Sequence, residues 1–144
     1  MQLVRSFEYG SAAQVGFGVR VLLLSTQDRS GLIATRLASL GSAIEFSTEL
    51  FSALEAIIND PADYGLFVLD CDCFGGIEAG QRAVAMLAGL SRHIPSILVS
   101  QACEIQVFSE DPGKPTILRA PLSAVSMRVG FEHALRDRLA LRMI

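Results

Sequence analysis

Leu66-Phe67-Val68-Leu69-Asp70-Cys71-Asp72 is the stretch on which the fold turns. Four apolar residues run directly into an acid. A strand with one face in water alternates apolar and polar side chains. A run that is apolar at every position predicts a strand buried on both faces, as in a parallel sheet with helices above and below. Open α/β sheets bind ligands in the crevice outside the carboxyl ends of their strands. Asp70 is therefore predicted to stand at the mouth of such a crevice, and the neighbouring strand ends determine its company.

Upstream, Val19 to Leu24 reads VRVLLL, a first buried strand, and the polar loop Ser25-Thr26-Gln27-Asp28 follows it. A helix is predicted from near Ser30 to Leu40, capped by Asp28 or Ser30 and ended by Gly41. Ala43 to Phe46 is a short second strand. Ser47 or Thr48 is the expected cap of a second helix, which runs to about Asn59 and is closed by Asp60-Pro61. Downstream, Phe74-Gly75-Gly76 reads as a turn and a helix as spanning about Glu78 to Leu90. Ser96 to Val99 is a fourth strand, ending at Ser100. Segment 101–114 is weakly patterned: Glu104 to Phe108 fits either one helical turn or an alternating strand. Thr116 to Arg119 is a fifth strand stopped by Pro121, and Ser123 caps a last helix to near Met143. Strands alternating with helices predict a three-layer α/β domain, with a five-stranded parallel sheet and helices on both faces. Residues 1–18, broken by glycines, read as an N-terminal arm packed on the domain or on a neighbouring chain. Residues 19–144 read as one domain.

At 144 residues the chain is long enough to bury a core without staples. Its hydrophobic fraction of 51% fits a sheet covered on both sides or a further face buried in a partner. A net charge of −3 argues against nucleic-acid binding. Arg128, Arg136, Arg138 and Arg142 share the last helix with Glu132 and Asp137, a pattern of a solvated face. Three cysteines form no disulfide framework and suit a reducing, cytoplasmic setting. Cys71-Asp72-Cys73 lacks the spacing and second ligand cluster of a zinc site. No window has the roughly 18 apolar residues of a membrane span, and the N-terminus lacks the pattern of a signal peptide. Neither a membrane nor a nucleic-acid partner is expected.

Five βα units in this order, with an acid ending the third strand and a proline just after the fifth, resemble the receiver domain of bacterial two-component response regulators. The resemblance covers about Arg20 to the C-terminus and rests on spacing. It implies a flavodoxin- or CheY-like sheet of order 2-1-3-4-5. It makes Asp70 the candidate phosphoacceptor for a histidine kinase, and Ser100, 30 residues on, the candidate phosphate contact. The family's Mg²⁺-binding acidic pair falls on Ser25 and Thr26, and its lysine on Ala120, before Pro121. Asp72 stands where the family offers the metal a backbone carbonyl, and Asp28 is a possible substitute acid. The acceptor and hydroxyl are kept, while the metal pair and the cation are lost. Mg²⁺ prefers carboxylates, waters and phosphate oxygens, and phosphoryl transfer depends on neutralising charge.

The expected function is accordingly that of a degenerate receiver, a signal-transduction module working through protein contacts. Weak or no phosphorylation is expected, and no cofactor beyond weak Mg²⁺. A homodimer is expected through the fourth strand, segment 101–114, the fifth strand and the last helix, whose apolar residues there are Ile117, Leu122, Val125, Met127, Val129 and Phe131. The protein partner is otherwise a histidine kinase or signalling protein. A first alternative is a phosphorylatable receiver using Asp70. A second is a small flavodoxin-like ligand-binding domain using the loop Ser25 to Ser30. Asp70 has a structural alternative as well: it can cap the next turn, accepting N–H groups of Phe74 to Gly76. An enzyme is not expected. Ser100 and His93 lack an orienting acid for a nucleophilic triad. His133 reads as a surface or interface residue. Gly16-Phe17-Gly18 precedes a strand, so it fails the dinucleotide context. Gly75-Gly76 lacks the further glycine and the lysine of a phosphate loop.

Overall fold

The structure is a computed structural model and describes residues 16–90, 94–111 and 113–142. Five parallel strands form one sheet: β1 (Arg20–Leu24), β2 (Ala43–Ser47), β3 (Leu66–Asp70), β4 (Ser96–Ser100) and β5 (Thr116–Arg119), in the order β2-β1-β3-β4-β5. Four α-helices cover it: α1 (Leu32–Ser39), α2 (Leu50–Asn59), α3 (Ile77–Leu90) and α4 (Ala124–Arg142). This is the doubly covered α/β architecture that the central stretch predicts, consistent with a flavodoxin- or CheY-like fold. The expected arm falls largely on residues 1–15, outside the described residues, as does His93.

All five positions of β3 and of β4 are buried, which accounts for their unbroken apolar runs. Alternate side chains feed two cores. Val21, Leu23, Val68, Val99 and Leu118 join α1 and α4 on one face. Leu22, Leu24, Phe67, Leu69 and Leu98 join α2 and α3 on the other. Each such side chain contributes about 1.5–3 kcal/mol by leaving water.

Two helices press against the sheet at glycines. A Cβ built on Gly80 of α3 would stand 2.5 Å from Cys71 Sγ, and one on Gly130 of α4 would stand 2.8 Å from Leu118 Cδ1.

The helix caps differ in part from expectation. Gly31 is the N-cap of α1 and gives no side-chain bond. Asp28 instead closes the loop before it, accepting from the N–H and the hydroxyl of Ser30 at 2.9 and 2.5 Å. The cap of α2 is Glu49, not Ser47 or Thr48: its carboxylate accepts from Phe51 N–H and Ser52 N–H at 3.0 and 2.7 Å. A two-oxygen anion satisfies two orphan donors and faces the positive end of the helix dipole. Ser123 caps α4 as predicted, accepting from Ser126 N–H at 3.0 Å. Gly41, with φ of 87°, ends α1 in the left-handed conformation.

The connector from β4 to β5 contains no helix among its described residues. Val107 instead exchanges two backbone hydrogen bonds with Ile117, at 2.8 and 2.9 Å, in an isolated antiparallel bridge. Of the two readings of Glu104 to Phe108, the extended one holds at Val107. Ile105 and Val107 remain 76% and 43% exposed.

The last helix corrects an expectation. Leu122, Met127 and Phe131, assigned above to a partner surface, are buried in the chain's own core, because α4 lies flat on β4 and β5. Val125 and Val129 are the exposed ones, at 73% and 46%. Arg128 pairs with Glu132 at 3.2 Å along the helix.

At the amino ends of the strands, Arg20 bonds Asp63 and lies 2.9 Å from Glu45. Its guanidinium stands 5.0 Å from the Tyr64 ring centroid, and the Tyr64 hydroxyl donates to Glu45.

Candidate functional site

Strand register builds the site. β1 and β3 pair Leu24 with Leu69, which brings Ser25 beside Asp70 one step further on. β3 and β4 pair Asp70 with Val99, so Ser100 ends the next strand at the same rim. Ser25, Asp70 and Ser100 are all buried, at 4%, 7% and 0% exposure.

Two separate hydrogen-bonded groups result. In the first, Ser25 Oγ donates to Asp70 Oδ2 at 2.9 Å and accepts from Gln27 N–H at 3.1 Å. The Cys73 thiol donates to the same Asp70 oxygen at 3.2 Å, and Thr26 Oγ1 donates to Cys73 Sγ at 3.1 Å. Residues Cys71–Cys73 form a 3-10 turn directly after β3. Side chains three apart in such a turn lie one above the other, which returns Cys73 to Asp70.

In the second group, Ser100 Oγ donates to Asp72 Oδ1 at 2.7 Å, and Gln101 N–H donates to Asp72 Oδ2 at 2.8 Å. Ser100 Oγ also accepts from Ala102 N–H at 3.1 Å.

Several predicted residues thus come together and others do not. Ser25 and Asp70 are in contact, and Thr26 reaches them through Cys73. The Ser100 hydroxyl turns to Asp72. Asp28 is exposed and occupied with Ser30, whose hydroxyl and N–H hold its carboxyl below the usual range. Ala120 packs its methyl against the α1/α4 core and gives its N–H to Ser100 O at 3.1 Å. Arg119 bonds the Glu104 carbonyl at 2.7 Å, on the connector. None of the three ion pairs among the described residues involves Asp70 or Asp72. The turn-capping alternative for Asp70 fails: Phe74 N–H and Gly76 N–H go to Cys71 O, at 2.9 and 2.8 Å. His133 is half-buried, with Nε2 2.6 Å from Ser109 O and its ring edge-on to Phe108.

Burial, and then the charges of Asp72 and Asp70, push the Cys71 thiol up from 9.0 to about 12. It stays protonated at neutral pH, which makes it a poor nucleophile.

The donor set suits Mg²⁺ poorly. Ser25 and Thr26 offer neutral hydroxyls whose protons are committed to neighbours, and both oxygens of Asp72 already carry donors. Among the described residues no group of three or more His, Cys, Asp or Glu is clustered as metal ligands would be.

Sequence reasoning missed Cys73 and the Asp72–Ser100 contact. The three-residue spacing from Asp70 to Cys73 carried the first signal. The second had none, because side chains 28 residues apart meet only through strand register.

No protein-family model matches the chain, and no curated protein is significantly similar to it. Among the described residues no helix is long and apolar enough to cross a membrane.

Proposed function

We propose that the chain is a receiver-like signalling module that acts through protein–protein contacts, with little or no phosphorylation of Asp70. The observation that carries this reading is the company Asp70 keeps. Its partners are a hydroxyl and a thiol, both neutral, and the described residues give it no cation. A phosphoryl group carried by Asp70 adds negative charge to a rim that also holds the Asp72 carboxylate. Without a fixed counter-charge the transfer loses about 3 kcal/mol of stabilisation, roughly two orders of magnitude in rate. Incubation with Mg²⁺ and acetyl phosphate, followed by intact-mass measurement, is expected to leave the chain unmodified. A single phosphoryl adduct that disappears in Asp70→Asn overturns the reading.

One observation favours the alternative of a phosphorylatable receiver. Asp70 Oδ1 receives no hydrogen bond from a described residue, which leaves that oxygen a lone pair for attack. The same mass measurement separates the two.

The contact surface in this reading is the β5 side of the domain, and its occupant is a second copy. Val125 and Val129 are exposed on one stripe of α4, the stripe that continues to His133 and meets the connector at Ser109. Exposed Ile105 and Val107 lie on that connector. Sedimentation at tens of micromolar is expected to show a dimer that Val129→Glu returns to monomer. A wild-type monomer at that concentration removes the homodimer and leaves a histidine kinase or other signalling protein as the partner. Three free cysteines support a cytoplasmic home.

A further inference from the structure

We infer that Asp72 is an internal anion that fills a two-donor cradle at the end of β4, and that this contact sets the position of the connector leading to β5. The inference takes its functional meaning from the receiver-like reading, but its geometry stands apart from it.

The cradle consists of consecutive residues. The Ser100 hydroxyl and the Gln101 N–H converge on one carboxylate, one donor to each oxygen, at 2.7 and 2.8 Å. Two directed donors facing a planar two-oxygen acceptor make a charge-assisted, bidentate arrangement. Asp72 comes from a different strand end, so the contact ties β3 to the exit of β4. It is also exposed, so its place is open to solvent.

Ser100 is the hub through which the contact acts. The residue is fully buried. Its hydroxyl accepts from Ala102 N–H at 3.1 Å, and its carbonyl accepts from Ala120 N–H at 3.1 Å and Cys103 N–H at 3.4 Å. Cys103 is buried in turn, and its thiol donates to the Ile105 carbonyl at 2.9 Å. The orientation of one hydroxyl therefore fixes the first residues of the connector, which carries exposed Ile105 and Val107.

Removing the Asp72 carboxylate leaves the hydroxyl and the N–H aimed at an empty, water-accessible space. Two convergent donors of that kind accept an oxyanion. Inorganic phosphate is small enough to enter and takes the same two bonds.

Amide hydrogen exchange on the full chain tests this. In Asp72→Ala the Gln101 and Ala102 amides are expected to exchange about tenfold faster than in the wild type, the loss of one charge-assisted bond. Inorganic phosphate at tens of millimolar slows them again, chloride at equal ionic strength does not, and adding Ser100→Ala abolishes the phosphate effect. Asp72→Asn keeps the shape with one acceptor and is expected to lie between the wild type and Asp72→Ala, and it carries the measurement if Asp72→Ala does not fold. Unchanged exchange at both amides in a folded variant, or phosphate acting no better than chloride on folded Asp72→Ala, overturns the inference. Neither outcome touches the mass and sedimentation results, which decide the functional reading by themselves.

Discussion

At the amino ends of the strands, Arg20 of β1 reaches Glu45 of β2 and Asp63 beside β3, with Tyr64 under its guanidinium. At the carboxyl ends, Ser25 beyond β1 reaches Asp70 of β3, and Ser100 of β4 reaches Asp72. Both rims join neighbouring strands, with opposite chemistry. The ion-paired side chains of the first rim are 39–41% exposed, so little hydration is lost when charges meet. Asp70 is 7% exposed, and at that depth a carboxylate requires directed donors. The lesson is that the acids of the carboxyl rim, buried Asp70 and exposed Asp72 alike, are held by directed neutral donors, and those of the amino rim by a guanidinium. A rim built on hydroxyls and a thiol holds Asp70 in place with no cation paired to it among the described residues.

The largest effect expected from disturbing either rim is at Ser100. Ser100→Ala removes a bond to a carboxylate and one from a backbone amide, and it is expected to lower the unfolding free energy by about 3 kcal/mol in urea titrations. Ser25→Ala comes next, at about 2 kcal/mol, because Asp70 then keeps only a thiol donor. Both losses are expected to be nearly the same in low and high salt. Arg20→Ala at the opposite rim is expected to cost about 1 kcal/mol, the sum of two exposed ion pairs and a cation–π contact. That loss is expected to shrink by half or more in 1 M salt, where the screening length falls to about 3 Å. A salt-insensitive Arg20→Ala or a strongly salt-sensitive Ser25→Ala contradicts the contrast between the rims.

The sheet was legible because Leu66–Leu69 of β3 and Ile97–Val99 of β4 are unbroken apolar runs, the pattern of strands buried on both faces. Helix bodies were legible from their spacing, and Gly41 and Ser123 from end chemistry. The caps of α1 and α2 were not. Several oxygen-bearing side chains stand within three residues of each start, and backbone conformation chooses among them: Gly31 is extended with φ of −61°, and Glu49 with φ of −135°. The last helix misled because its apolar residues lie on more than one side. Phe131 and Met127 turn to the sheet while Val125 and Val129 turn away, and sequence spacing alone does not say which side the sheet occupies. At the rim, residue types and strand ends were readable, and the partner of each hydroxyl was not. That choice depends on the 3-10 turn at Cys71–Cys73, which lifts Asp72 toward Ser100 and returns Cys73 to Asp70.

Gly80 and Gly130 bear on how this chain tolerates change. Glycine inside a helix ordinarily costs about 1 kcal/mol against alanine, so engineers replace it to gain thermal stability. Here a methyl at position 80 collides with the sulfur of Cys71, and one at position 130 with the side chain of Leu118. Helix α3 would be lifted off the very turn that carries Asp72 and Cys73. A routine stabilising substitution therefore acts on this molecule as a wedge.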